Sequence, residues 1–244
     1  MTVRTLPLFP LTTVLFPAMA LPLLIFEERY KAMFDTCMAG DLRFGVTLIA
    51  AGVAVGGTAA PRPVGTVAHI VSWERLRDGR IKVITEGENR FRIVETLAAD
   101  HPYSSALVQY WDDEADEAVD TRRLMRDLTD NFLDYLTLTM LLSGYSLPVA
   151  QFDLPGDPSM LSYRVASSLQ VDATEKQRLL EEPSAVERLQ REMMLVRRER
   201  DFLQRLVSLH GVVGDLDVRW GLKLYRKGAA PVGLRARKDA SSGQ

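Results

Sequence analysis

Asp78-Gly79 separates two long strand-like runs, VGTVAHIVSWERLR and RIKVITEGENRFRIVETL. A strand turns successive side chains to opposite faces, and an Asp-Gly pair suits turn positions that need positive φ. The stretch therefore has to be a β-hairpin. Two strands of this length cannot stand alone in water, so more strands or helices must cover their apolar face. A two-residue turn would set Leu76 opposite Ile81, with Val83 on the same face. The other face would pair Arg77 with Arg80, Arg75 with Lys82, Trp73 with Ile84, Val71 with Glu86, and His69 with Glu88. His69 and Glu88 read there as a weak surface pair. Trp73 and Ile84 form a large apolar pair among charges. Either the helical half of the chain covers that pair, or it is a surface that docks apolar side chains of a partner.

The rest of the first 112 residues continues in strands. Residues 3–8, 21–26, 43–49 and 106–111 have strand character, and Pro10 is expected to stop the first of them. Residues 27–38 place Tyr30, Met33, Phe34 and Cys37 at helical spacing, with Gly40 positioned to end the helix. Residues 51–63, AGVAVGGTAAPRP, read as a loop. The acidic stretch from Asp112 reads as a solvated linker.

Near residue 118 the period changes. Leu124, Leu128, Phe132, Leu136 and Met140, with Met125 and Tyr135, mark an amphipathic helix. Asp157-Pro158 reads as an N-cap with proline in the first turn, and Asp172-x-x-Glu175 and Ser184-x-x-Glu187 read as capping boxes. The expected organisation is a β subdomain over residues 1–112, a helical subdomain over 113–227 and a flexible polar tail over 228–244.

The opening LFPLTTVLFP, followed by Ala18-Met19-Ala20, imitates an export signal. Pro7, Pro10 and Pro17 break the helix that such a signal requires, and the apolar run continues past the triplet. One cysteine in 244 residues rules out an internal disulfide. Both points favour the reducing cytoplasm. A net charge of −2 argues against a dominant nucleic-acid or anionic-membrane role. Arg75, Arg77, Arg80, Lys82, Arg90 and Arg92 could suggest RNA binding, but Glu86 and Glu88 interrupt them.

Catalytic signatures are missing. No Gly-Lys dipeptide exists for a phosphate-binding loop, and neither a G-x-S-x-G elbow nor S-x-x-K occurs. His69, His101 and His210 lie far apart. Cys37 sits on an apolar helix face, so no metal or other cofactor is expected.

The segments LPLFPLTTVLFPAMALPLLIFEERYKAM, RFGVTLI, VGTVAHI and DGRIKVITEGENRFRI, followed by LSYRVASSLQVDATEKQRLLEEPSAVERL, closely resemble the LON domain. This domain begins the ATP-dependent protease La and also occurs in stand-alone bacterial proteins. The likeness covers roughly residues 4–210. It implies an α+β fold: a PUA-like bent β-barrel subdomain carrying one helix, then an α-helical subdomain. It also implies substrate capture without catalysis, because the ATPase and the Ser–Lys dyad of Lon have no counterpart here. The expected partners are unfolded or partner polypeptides, together with a protease acting in trans. Candidate contacts are Trp73, Ile84 and Val71, and the phenylalanines Phe9, Phe16 and Phe26, for which barrel core is the competing assignment. A PUA-like small-molecule or RNA-binding protein is the alternative.

Overall fold

The computed structural model describes residues 3–52, 59–98, 101–114, 120–143 and 154–209. Six strands come first: β1 (Val3–Leu11), β2 (Ala20–Ile25), β3 (Arg43–Gly52), β4 (Ala59–Arg75), β5 (Ile81–Thr96) and β6 (Ser105–Tyr110). Helix α1 (Glu28–Ala39) lies between β2 and β3. After the strands come α2 (Arg122–Leu142), α3 (Pro158–Ser168), α4 (Ala173–Glu181) and α5 (Ala185–Leu209). The fold is α+β.

The sheet order is β2-β5-β4-β3-β1-β6, and β5 also pairs with β6. Strands β5, β4, β3, β1 and β6 therefore close into a barrel, and β2 extends the sheet from the first half of β5. Strand β5 can serve both because Ile81–Glu86 pairs with β2 while Phe91–Thr96 pairs with β6. Register shifts in β4 between Thr66 and Ala68 and between Ile70 and Ser72 bend the long hairpin, as bulges do.

The prolines of the first strand do not end it. Strand β1 runs through Pro7 and Pro10 to Leu11. Val3–Pro7 pairs antiparallel with β6, and Leu8–Leu11 pairs parallel with β3. Each proline thus lies where one edge of the strand is free, the setting that tolerates a missing N–H. Strand β3 likewise continues to Gly52, and Ala59–Pro61 pairs with it, so the expected loop over 51–63 is in part sheet. Residues 53–58 lie outside the described chain.

The hairpin turn also differs from expectation. Leu76 N–H donates to Arg80 C=O at 2.8 Å, and Gly79 N–H donates to Leu76 C=O at 3.0 Å. The loop is therefore Arg77-Asp78-Gly79, with Gly79 at φ +80°. This three-residue form ends in a left-handed glycine, where a two-residue turn would have used both Asp78 and Gly79. The extra residue shifts the register by one, so Trp73 faces Val83 and Ser72 faces Ile84.

Three apolar clusters hold the first compact unit, which comprises the described residues of Met1–Thr129 and Leu154–Val196. Phe9, Ile25, Phe44, Ile81 and Val83 meet Tyr30, Met33, Phe34 and Cys37 of α1. That helix starts and stops as its sequence predicts, between Glu27 and Gly40. Leu6, Leu8, Val67, Phe91, Ala106 and Val108 fill the barrel. The Phe91 ring rests over Gly45 and Gly65, where a Cβ would approach its Cζ to 2.8 and 2.7 Å. Val14, Phe16, Leu48 and Val64 pack with Tyr163, Ala166, Leu179 and Leu180 of α3 and α4. Burial of each such large side chain contributes about 1.5–3 kcal/mol.

The caps read from sequence are formed. Asp157 accepts from Met160 N–H at 2.9 Å, Asp172 from Thr174 and Glu175 N–H at 2.8 and 2.9 Å, and Ser184 Oγ from Glu187 N–H at 3.1 Å. A second compact unit comprises the described residues of Asp130–Asp153 and Arg197–Gln244. In it Phe132, Leu133, Tyr135 and Leu138 are buried. The ring of Phe132 stacks on Tyr135 with centroids 6.2 Å apart, and Arg200 bonds Asn131. Helices α2 and α5 each contribute to both units. The expected tail over 228–244 lies outside the described residues. Among the described residues no helix is long and apolar enough to cross a membrane.

Candidate functional site

Strand alternation sends Leu21 and Ile25 inward and leaves Ala20, Pro22 and Leu24 on the outer face of β2. The neighbouring strand repeats the pattern: Ile81, Val83 and Thr85 are buried, while Lys82, Ile84 and Glu86 are exposed. The β2–β5 register places Pro22 beside Ile84 and Leu24 beside Lys82. On the far side, the β4–β5 register places Ser72 beside Ile84 and Glu74 beside Lys82. The three strands thus form a continuous outer surface with Ile84 at its centre.

The register shift after Ile70 changes where Trp73 stands. Opposed to Val83, it takes the inner side of the sheet at the end of the hairpin, and its ring meets Phe34 edge-on, with centroids 5.7 Å apart. Arg75 lies over the same Phe34 ring, its guanidinium carbon 5.6 Å from the centroid. The core covers Trp73 on one side only, and 48 % of the residue is exposed. A groove of about 520 Å³ opens over Pro22, Leu23, Leu24, Trp73, Val83 and Ile84, with Ser72, Glu74 and Lys82 completing the lining.

Leu24, Phe26, Val71, Trp73 and Ile84 are all exposed, between 42 and 57 %. Four of the six side chains expected to meet a partner are therefore accessible, and Leu24 is one that the sequence reading missed. Its signal was available: it stands out of phase with buried Leu21 and Ile25. Phe9 and Phe16 require correction, since they are only 7 % and 0 % exposed. Phe9 packs edge-on against Tyr30 and Phe44, and Phe16 packs toward Tyr163. Both are core residues, because the bend of the barrel turns the opening strand and the loop after it inward.

The charges around the groove are paired. Lys82 Nζ lies 3.9 Å from Glu74, Arg80 pairs with Asp78 at 2.7 Å, and Arg75 pairs with Asp35. Arg43 grips Glu88 through both carboxylate oxygens, at 2.7 and 2.9 Å, with His69 Nδ1 3.8 Å away. Arg92 stacks on Trp111, and Arg90 is buried. Arg75, Arg80 and Lys82 of the hairpin are thus each set beside an acidic side chain.

Arg90 instead belongs to a buried ionic network. It donates to the carbonyls of Leu180 and Glu182, both at 2.8 Å, and pairs with Asp113. Arg188 donates to Asp113 Oδ2 at 2.7 Å and Oδ1 at 3.1 Å, to the Glu182 carbonyl at 2.9 Å, and to Ser162 Oγ at 2.6 Å. Tyr163 O–H donates to Asp113 at 2.8 Å, and Ser162 O–H donates to Glu192 at 2.7 Å. Asp113, expected in a solvated linker, is the hub of this network. Burial raises its pKa, but the Arg188 hydrogen bonds and charge, Ser159 and Arg90 outweigh that and hold it below the ordinary carboxylate range. Glu192 goes the other way: full burial raises it well above its usual value, against the Ser162 hydrogen bond and the Arg188 charge. The network welds β5 and the segment after β6 to α3, α4 and α5.

Burial, aided by the Asp41 charge, pushes the Cys37 thiol up to about 12, and it donates to the Arg43 carbonyl at 3.3 Å. A nucleophile needs a thiolate, so Cys37 is packing. Among the described residues no cluster of three or more His, Cys, Asp or Glu could hold a metal ion.

Residues 5–198 match the family model of the ATP-dependent protease La (LON) substrate-binding domain. The chain is 31 % identical over 205 residues to Lon protease 2 of Herpetosiphon aurantiacus, covering 83 % of this chain and 25 % of that protein. It thus spans a quarter of that relative's length. A solved Lon N-terminal domain protein from Xanthomonas campestris superposes with a TM-score of 0.56 at 26 % identity, over 77 % of this chain and 95 % of that one. The N-terminal domain of Mycobacterium avium complex Lon protease superposes with a TM-score of 0.60 at 18 % identity, over 79 % and 98 % of the two chains. That second likeness bears on fold alone.

Proposed function

The chain belongs to the LON substrate-binding domain family, and from that premise we propose that it is a non-enzymatic module that captures exposed apolar segments of unfolded or partner polypeptides. The observation that carries this reading is the groove centred on Ile84, where Leu24, Ile84 and Trp73 remain exposed beside a lysine and a glutamate that neutralise one another. Exposed apolar side chains gathered around a concavity are a common mark of a protein-binding surface. Polypeptide partners follow from the family, and a protease acting in trans is the natural recipient of a captured chain. A single cysteine suits residence in the reducing cytoplasm.

The reading is tested by titrating the protein with a denatured, fluorescently labelled polypeptide, alongside Trp73→Ala and Ile84→Asp. Saturable binding that both substitutions weaken supports it. A wild-type dissociation constant above roughly 1 mM, about 4 kcal/mol of binding, would refute it.

A further inference from the structure

We infer that the groove receives its polypeptide as an added β-strand, hydrogen-bonded along the open edge of β2 and presenting uncharged apolar side chains to Pro22 and Leu24 on the outer face, toward Ile84. This rests on the polypeptide-binding reading above and adds the geometry of capture.

Strand β2 lies at the end of the sheet order and, among the described residues, pairs with β5 alone. Its hydrogen-bonding phase follows from two observations. Gly87 N–H donates to Met19 C=O at 2.9 Å, so Met19 faces β5, and so do the residues at two-residue intervals after it. Pro22, opposite Ile84, has no N–H to offer and falls in the alternate set. Ala20, Pro22 and Leu24 therefore turn their backbone groups outward. The open edge presents N–H groups at Ala20 and Leu24 and carbonyls at all three positions. Groups two residues apart are the repeat that an incoming strand satisfies.

Side chains follow the same period. Pro22 and Leu24 project onto the outer face, so a strand laid beside them sends alternate residues to that face, at the mouth of the groove. Charge selects the occupant. Glu74 and Lys82 are the charged residues of the lining, and they cancel across the β4–β5 pair at 3.9 Å. A charged segment would lose hydration there and gain no counter-ion, whereas an uncharged segment with large apolar residues at alternate positions loses nothing. Pro22 has a second role. By withholding one donor from the middle of the edge it limits the run of pairing, a device that keeps exposed edges from growing into unlimited sheets.

The experiment uses the full chain and three fluorescent peptides with one alternating Val/Thr sequence: unmodified, N-methylated on every second amide, and N-methylated on the intervening amides. All three share their side chains, but one methylated series cannot donate to β2. The expected result is retention of binding by one methylated peptide and a loss of roughly tenfold or more by the other, the effect of one or two hydrogen bonds. Leu24→Pro, which removes an outward donor, should weaken the unmodified peptide to a similar degree.

Equal affinity for the two methylated peptides overturns strand addition while leaving apolar capture standing. Failure of all three peptides overturns it as well, and denatured protein tested in parallel then shows whether capture itself survives. A dimer in sedimentation that Leu24→Pro disperses would assign the edge to a second copy of this chain and also overturn the inference.

Discussion

Arg188 closes on Asp113 with two hydrogen bonds, Nη2 to Oδ2 at 2.7 Å and Nη1 to Oδ1 at 3.1 Å, across 75 residues of sequence. The pair joins helix α5 to the end of the barrel, and the Arg188 side chain is fully buried. Once desolvated, neither charge can be removed without stranding the other.

Asp113→Ala should therefore destabilise the protein by about 3–5 kcal/mol, because it leaves Arg90 and Arg188 buried without their shared carboxylate. Urea unfolding measures this. The pH dependence has a definite sign. The folded carboxyl lies below its unfolded value near ~3.9, so its contribution is complete above that pH and is lost as pH falls through the folded value. The substitution should accordingly flatten the acid limb of the stability profile.

Glu192 behaves oppositely. Its folded pKa is raised, so above the unfolded value near ~4.3 the native state keeps a proton that the unfolded chain releases. Stability from this group falls as pH rises. Glu192→Gln retains an acceptor for Ser162 and removes the titration. It should match the wild type at pH 5 and be more stable at pH 8, as read from urea midpoints. Greater loss at pH 8 than at pH 5 would mean that Glu192 is ionised.

Gly87→Ala should be severely destabilising. A Cβ there would stand 2.1 Å from the Phe16 carbonyl oxygen, a backbone atom that cannot move without carrying the 14–19 turn with it. Thermal unfolding should show a fall larger than that for Gly79→Ala. At Gly79 a Cβ would meet Lys31 Nζ at an ordinary 3.7 Å, and its φ of +80° opposes a side chain by about 1 kcal/mol.

Phe9→Ala and Phe26→Ala separate core from surface. The first removes a ring packed on Tyr30 and Phe44 and should lower stability by about 3–5 kcal/mol. Phe26 is half-exposed, and its loss should change stability by no more than about 1 kcal/mol. Chemical denaturation of the two variants under identical conditions makes the comparison.

Cys37 should resist thiol reagents at neutral pH in the native protein and react fully after denaturation. Burial holds its pKa near 12, so almost no thiolate is present. Rapid labelling of native protein by a disulfide-exchange chromophore would contradict this.

Much that depends on short-range chemistry is legible in the residues alone, although the length of the Asp78-Gly79 turn is not. Helix α1 with its buried Tyr30, Met33, Phe34 and Cys37, the caps at Asp157, Asp172 and Ser184, and the hairpin at Asp78-Gly79 all follow from the spacing of residues a few positions apart. Helical and strand periods are local properties of the backbone, and capping side chains reach only the next turn. The collinear motifs carried the LON resemblance in the same way.

The rest depends on which distant segments meet. Pro10 reads as a strand breaker, yet it and Pro7 are both accommodated because β1 changes partner between them. One extra turn residue and a register shift in β4 move Trp73 to the Val83 side, where Phe34 covers one edge of its ring and leaves the rest in water. Asp112 and Asp113 look alike as a pair of acids in a linker. Only packing against Arg90 on β5 and Arg188 on α5 makes the second a buried hub. Burial and charge pairing are set by neighbours tens of residues away, and among the described residues β2 has an open edge only because the sheet ends there. No periodicity within a strand encodes where its sheet stops.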